Sequence, residues 1–223
     1  MKIHDCEQRS PEWFEARLGR LTASDCRDAF ATVKSGESAG RKRVRAKLVV
    51  ERLTGICQDD GYINAAMQRG LDLEPAARAA YEAHTGLLVD VCGFVSHDDL
   101  MIGCSPDGVM DGLTAGVELK VPLIATHIGY LRGHHGVPSE YLPQVMHSLL
   151  VTGATWWDFV SFAPELPDHL RLFHVRLQRQ DVDMSAHLSS VKRFLAEVNE
   201  EEQALRTMAN PSAQLQAAVE ALA

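Results

Sequence analysis

Apolar and polar positions alternate most clearly in the middle of the chain. Val117, Leu119 and Val121 are apolar, and Glu118 and Lys120 lie between them, which is the two-residue period of a half-buried strand. Side chains two positions apart lie on one face of a strand, so Glu118 and Lys120 point the same way. The pattern therefore predicts a strand that carries an acid and a base on one face.

A second strand is predicted just before this one, over residues 101–104, and the segment 105–116 between them is rich in turn residues. Two strands joined in this way are expected to pair as a β-hairpin. If they pair, the carboxylate of Asp107 comes to lie beside Glu118 and Lys120.

Elsewhere the apolar spacing and the capping residues predict helices and further strands. The predicted helices cover residues 10–19, 25–32, 41–54, 64–84, 123–131, 141–153 and 181–208. The other predicted strands cover residues 87–97, 155–162 and 171–177. Because no internal repeat or linker is visible, residues 1–223 are predicted to form a single α/β domain with a central mixed sheet. The last dozen residues, after Pro211, are expected to fray or to dock on a neighbour.

Composition narrows the class of protein. The chain has 223 residues, 46% hydrophobic and 23% charged, as in an ordinary soluble protein. Five cysteines without a CxxC pair argue against a disulfide framework and a zinc ribbon, and favour reduced thiols in the cytoplasm. No apolar N-terminal segment or 18-residue apolar run is present, so neither a signal peptide nor a membrane span is expected.

The net charge of −8 does not exclude nucleic acid, because the charges are unevenly distributed. Residues 41–47 contain five cations, whereas acids cluster at 197–202. This asymmetry allows one basic, DNA-binding surface on an acidic body. The simpler interpretation is that the cations form the solvated face of a helix.

The predicted hairpin carries a group of residues suited to phosphodiester hydrolysis. Carboxylates bind Mg²⁺ or Mn²⁺, which stabilises charge on phosphate and acidifies a bound water. Lys120 then positions the attacking water or accepts its proton. Pro106-Asp107 is separated by ten residues from Glu118-Leu119-Lys120. This arrangement matches the PD-(D/E)xK nuclease signature. A plain hairpin with a solvated acid–base pair remains the alternative.

Other candidates also have two readings. Arg17 and Ser24 suit a phosphate pocket near a helix N-terminus, although helix capping alone would explain Ser24. Glu74 is either a third carboxylate near the metal or the partner of Arg78 in an i,i+4 salt bridge. Gln144 in the first turn of its helix either faces the site or lies on the surface.

Five segments taken together resemble the lambda exonuclease family, the YqaJ-type viral recombinase nucleases. The first segment joins Ala16–Gly19 with Thr22–Ser24. The other four are Gly70–Arg78, Cys104–Gly108, Glu118–Lys120 and Gln144–Ser148. The resemblance covers roughly residues 10–200. It implies a restriction-endonuclease-like core whose central mixed sheet is flanked by helices.

The resemblance also implies a role for each matched residue. The metal ligands would be Asp107, Glu118, the carbonyl oxygen of Leu119 and, for a second ion, Glu74. Lys120 would orient the nucleophilic water with support from Gln144. The 5′-phosphate would be held by Arg17, Ser24 and Ser105. The residues expected to touch DNA are Lys34, Arg41, Lys42, Arg43, Arg45 and Met67; Met67 would separate the strands, although core packing would explain it equally well.

The activity implied by the resemblance is a magnesium-dependent 5′-to-3′ exonuclease on linear double-stranded DNA. It would release mononucleotides and leave a 3′ single strand for an annealing protein. The family also implies a homotrimeric ring and a phage- or prophage-encoded protein in a bacterial cytoplasm.

Two other activities remain as alternatives. A restriction-type endonuclease would share the catalytic core, but no added base-reading element is evident at this length. A non-catalytic DNA-binding protein would not need Asp107, Glu118 and Lys120 together. The iron–sulfur branch of related nucleases is excluded because its C-terminal cysteine cluster is missing, the last cysteine being Cys104.

Overall fold

The computed structural model describes residues 1–59, 64–133 and 135–208, in which two four-stranded sheets are flanked by helices. The strands are β1 Lys2–His4, β2 Leu21–Thr22, β3 Phe94–Ser96, β4 Ile102–Cys104, β5 Gly108–Met110, β6 Ala115–Lys120, β7 Trp156–Phe162 and β8 Leu172–Gln178. The helices are α1 Pro11–Arg17, α2 Cys26–Ala29, α3 Ala39–Thr54, α4 Ala65–Thr85, α5 Ile124–Gly133, α6 Leu142–Thr152 and α7 Met184–Thr207. The predicted α/β class is confirmed.

Both sheets are mixed. The first has the order β1-β3-β4-β2, with β2 and β4 parallel. The second has the order β5-β6-β7-β8, with β6 and β7 parallel and the other pairs antiparallel. Because β6 lies inside the second sheet, its register against β7 fixes where its polar side chains point.

The predicted hairpin is partly wrong. Residues 102–104 do form a strand, but β4 pairs with β2 and β3 in the first sheet. The antiparallel partner of β6 is β5, with Gly108 opposite Val117. Asp107 directly precedes β5, so it reaches the end of β6 through a different pairing from the predicted one.

Most predicted helix ends agree with the structure. The hydroxyl of Ser10 accepts a hydrogen bond from the backbone N–H of Trp13, and Gly55, Gly86 and Gly153 end α3, α4 and α6 in the left-handed conformation. Helix α4 continues through Pro75 without a break. The strand predicted over residues 87–97 shortens to β3.

Ser24 does not cap a helix, contrary to prediction. It lies in a 3-10 turn, Ala23–Asp25, and α2 follows with only four residues. No side chain caps α2, and the hydroxyl of Ser24 lies 3.2 Å from that of Thr22. The turn keeps this hydroxyl away from the backbone N–H groups that a helix cap would bind.

Two apolar clusters form most of the core. One packs β2, β3 and β4 against α3, α6 and α7, and the other packs α4 against the second sheet. Within the described ranges, no helix is both long and apolar enough to span a membrane. Residues 211–223, for which fraying or docking was predicted, lie outside the described residues.

Close packing at Gly116 predicts a strong effect of one added methyl group. A Cβ there would lie 2.3 Å from the ring of Trp157, which is fully buried on β7. We expect Gly116→Ala to lower the free energy of unfolding by about 1–3 kcal/mol, because the ring has no space to move. Gly129→Ala in α5 is the control, since nothing lies within 4 Å there. Equal unfolding midpoints in urea for both variants would contradict this packing argument.

Candidate active site

Acidic and basic side chains converge where β6 ends. Glu118 is 2% exposed, and its carboxylate contacts the ammonium of Lys120 on the same strand face. The Asp107 carboxylate accepts a hydrogen bond of 2.7 Å from the backbone N–H of Leu119. This bond holds Asp107 against the strand end, so the structure brings the three side chains together.

Helix α6 covers one side of this group. The Gln144 side-chain amide donates to Glu118 Oε1 at 2.5 Å, which places Gln144 in the site and not on the free surface. The ring of Tyr141, just before α6, lies with its centroid 5.5 Å from Lys120 Nζ. A cation at this distance is attracted by the face of the ring.

Helix α4 covers the opposite side through Glu74. Arg78 donates to Glu74 at 2.9 Å and to the backbone carbonyl of Asp107 at 3.0 Å. The predicted i,i+4 salt bridge between Glu74 and Arg78 is confirmed, and this pair lies beside Asp107. Sequence reasoning missed the second role of Arg78, since its contact with Asp107 is long-range.

The electrostatics of the group are those of crowded, buried acids. Burial raises the pKa of Asp107 and raises that of Glu118 to about 7. Burial and the nearby Asp107 raise the pKa of Glu74. Burial alone would lower the pKa of Lys120, but attraction to Glu118 and Asp107 outweighs it and the pKa rises. Carboxylate oxygens whose ionisation is disfavoured by burial and by each other suit a hard divalent cation.

A cleft of about 430 Å³ opens over these residues. Residues of α4, β6 and their flanking segments form its walls, including Met67, Gly70, Glu74, Asp107, Lys120 and Tyr141. Met67 is 45% exposed. Its side chain is therefore accessible from the cleft and is not part of the buried core.

A second cleft of about 550 Å³ contains Arg17 and Ser24, together with Arg43 and Lys47. Arg17 stacks on Trp13, with the guanidinium carbon 3.9 Å from the ring centroid, and its ion pair with Asp59 is long at 3.9 Å. Burial lowers the pKa of Arg17.

Trp13 connects the second cleft to the carboxylates. Its ring N–H donates to the Ser105 hydroxyl at 2.8 Å, and Ser105 lies two residues before Asp107. Arg17 and Ser24 therefore share one cleft, and Ser105 contacts the same tryptophan as Arg17. The stacking role of Trp13 was missed, because its position in α1 suggested only packing.

The basic residues of α3 are mostly paired with acids. Arg41 binds Glu197 at 2.6 Å, and Arg45 binds Glu201 at 2.6 Å, both across the contact with α7. The structure therefore does not support the expectation that Arg41 and Arg45 form a free DNA-binding face, because α7 supplies carboxylates far away in sequence. Lys34, Lys42 and Arg43 remain exposed, and Arg43 is also paired with Asp28.

The model of the YqaJ-like viral recombinase domain matches residues 12–155, well over half of the chain. The chain belongs to the YqaJ-like viral recombinase family. The matched segment contains all the candidate residues of both clefts, whereas β7, β8 and α7 follow it. A comparison with curated proteins gave no match to this chain.

Solved structures agree with the family. LHK-Exo, an alkaline exonuclease from Laribacter hongkongensis, is 38% identical, with a TM-score of 0.78 and coverage of 92% of this chain and 100% of its own. Its complex with dAMP gives 37% identity, a TM-score of 0.79 and the same coverage. A phage-related exonuclease from Haemophilus somnus 129PT shares the fold at 15% identity and a TM-score of 0.61, covering 85% and 96% of the two chains.

Proposed function

We propose that this chain is a metal-dependent 5′-to-3′ exonuclease that acts on linear double-stranded DNA, releases 5′-mononucleotides and leaves 3′ single strands. Membership of the YqaJ-like family and the likeness to an alkaline exonuclease support a nuclease acting on DNA. The observation that carries the proposal is the convergence of Asp107, Glu118, Lys120 and Gln144 at the end of β6, where Asp107 and Lys120 line the first cleft.

In this proposal, Asp107, Glu118 and the Leu119 carbonyl would hold Mg²⁺, with Mn²⁺ as the alternative, and Glu74 would serve a second ion. Bound metal supplies charge stabilisation for the phosphate and an acidified water. Lys120, whose pKa is raised, keeps its proton at neutral pH and orients the attacking water. Gln144 holds the carboxylate of Glu118 in place through its amide.

The second cleft is proposed to bind the 5′-phosphate of the strand being degraded. Arg17 is partly buried, its guanidinium lies over the Trp13 ring, and its ion pair with Asp59 is long, so the guanidinium remains able to bind an oxyanion. The Ser24 and Ser105 hydroxyls would add hydrogen bonds. Exposed Lys34, Lys42 and Arg43 would contact the phosphates of the duplex, and Met67 would separate its strands.

The experiment that tests the proposal is digestion of linear duplex labelled separately at each 5′ and 3′ terminus, in Mg²⁺. Early release of the 5′ label as a mononucleotide is expected. Early release of the 3′ label would overturn the polarity. Cleavage of covalently closed circles would favour a restriction-type endonuclease instead.

Arg17→Ala should selectively weaken the use of 5′-phosphorylated ends. Loss of hydrogen bonds to a charged group corresponds to about 10–100-fold in kcat/KM. Digestion rates of matched 5′-phosphate and 5′-hydroxyl duplexes measure the effect, and only the first substrate should be affected. Arg20→Ala is the matched control, because Arg20 follows Arg17 closely in the chain but lines a different cleft. An equal loss on both substrates would assign Arg17 a structural role.

The wider setting is also a proposal, and it rests on the family resemblance. The chain would assemble as a homotrimeric ring around duplex DNA and pass its 3′ single strand to an annealing protein. It would work in a bacterial cytoplasm as a phage or prophage product. Sedimentation of the purified chain, with and without a duplex, measures the assembly directly.

A further inference from the structure

A buried cluster of metal-ligating side chains lies where α2, α6 and α7 meet. Cys26 begins α2, His147 lies in α6 and His187 in α7, and all three side chains are buried. One ligand atom from each residue lies within 4.8 Å of the other two. This is the one group of three His, Cys, Asp or Glu side chains in such an arrangement within the part of the chain that the structure describes.

The hydrogen bonds in the cluster leave two ring nitrogens without a partner. His147 Nε2 donates to the Leu21 carbonyl at 3.2 Å, which assigns the proton to Nε2 and a lone pair to Nδ1. That Nδ1 is buried and has no hydrogen-bond partner. His187 Nε2 is likewise buried without a partner. Buried polar atoms normally have a hydrogen-bond partner. Two buried ring nitrogens without one, in the same cluster, therefore indicate a missing ligand.

Packing alone accounts for only part of this arrangement. The two imidazole rings lie 5.6 Å apart at 70°, and Phe30 meets His187 edge to face at 5.4 Å. Edge-to-face packing of neutral rings would explain these contacts. They would not explain why a thiol and two unpartnered nitrogens come together on three separate helices.

We propose that Cys26 Sγ, His147 Nδ1 and His187 Nε2 bind a transition-metal ion, with Zn²⁺ as the natural occupant. Thiolate and imidazole are the ligands that Zn²⁺ prefers, whereas the oxygen donors around Asp107 suit Mg²⁺. On binding, the S–H bond of Cys26 breaks, a sulfur–metal bond forms and one proton leaves to solvent. The thiol's weak hydrogen bond to the Thr22 carbonyl, 3.4 Å, is given up.

The hydrogen bond that fixes His147 also suits this role. Metal-ligating histidines usually donate their other ring N–H to a carbonyl or carboxylate, which sets the tautomer and the direction of the lone pair. The Leu21 carbonyl performs this function for His147. Gln144 lies three residues before His147, and Ser24 lies two residues before Cys26. An ion bound here would therefore link the helix of Gln144 to the segment of Ser24.

Cobalt titration of the untagged, full-length protein tests the site. Co²⁺ bound by a thiolate gives an intense sulfur-to-metal charge-transfer absorption, which a carboxylate site lacks. We expect this absorption to saturate at stoichiometric Co²⁺ and to disappear on addition of Zn²⁺. It should be unchanged in Asp107→Asn, which separates this site from the proposed catalytic one.

Variants identify the ligands. Cys26→Ala should abolish the charge-transfer absorption and weaken Zn²⁺ binding by about 100-fold or more, and His187→Gln should also weaken it. Cys92→Ala is the matched control, since this thiol is buried but outside the cluster. A wild-type protein without the absorption, or an absorption retained in Cys26→Ala, would overturn the proposal. The wild-type titration decides the question even if a variant fails to fold.

Discussion

Lys120→Ala should reduce hydrolysis of linear duplex by about 10²–10³-fold in kcat, the usual cost of removing one preorganised charged or hydrogen-bonding group from an active site. Lys120 lies at the end of β6 with its ammonium on the carboxylate of Glu118 and near Asp107. Without it, the attacking water loses the cation that orients it. Single-turnover digestion of end-labelled duplex at saturating Mg²⁺ measures the effect on the chemical step.

Lys192→Ala is the matched control for this prediction, because Lys192 is exposed on α7. Its activity should equal that of the wild type. Circular dichroism of Lys120→Ala should show an intact fold, since the side chain lies at the edge of the cleft. Retained nuclease activity in Lys120→Ala with Mg²⁺ present would refute the proposed mechanism.

The largest stability effect is expected at Asp158, a fully buried acid in β7. Its carboxylate accepts a hydrogen bond of 2.7 Å from the Tyr81 hydroxyl and two of 2.8 and 2.9 Å from Arg176. His174 Nε2 also lies 2.8 Å from this carboxylate. Asp158→Ala leaves Tyr81, Arg176 and His174 without this acceptor and should lower the free energy of unfolding by about 3 kcal/mol or more. In a chain of this length, that corresponds to a melting temperature about 6–12 °C lower.

Asp168→Ala is the comparison that separates burial from charge. Asp168 also pairs with an arginine, Arg171, at 2.7 Å, but its side chain is 90% exposed. An exposed pair is worth about 1 kcal/mol or less. If calorimetry gave the two variants the same melting temperature, the buried network around Asp158 would have no special part in stability.

The grouping of Asp107, Glu118 and Lys120 could be predicted from sequence because it depends on local rules. A two-residue period places Glu118 and Lys120 on one strand face, and a short turn segment returns the chain to Asp107. The pairing partner of β6 could not be predicted in the same way. Both β4 and β5 are three-residue apolar strands, and only the rest of the fold decides which of them lies beside β6.

Other features were missed because they join distant parts of the chain. The two- and three-residue strands β2 and β1 are too short to show a period. Cys26, His147 and His187 have no common spacing, so their meeting cannot be read from sequence. Arg17 and Ser24 do line one cleft, but the contact of the Arg17 guanidinium with the Trp13 ring depends on side-chain packing.

The ion pairs between α3 and α7 have a consequence for how strongly salt should affect DNA binding. Each phosphate that meets a free cation releases condensed counterions from the duplex, and the number released sets the slope of affinity against salt. Arg41 and Arg45 already hold Glu197 and Glu201, so a duplex that reached them would only exchange one anion for another. If this helix contacts DNA as proposed, the salt dependence should therefore correspond to fewer phosphate contacts than the helix has positive residues.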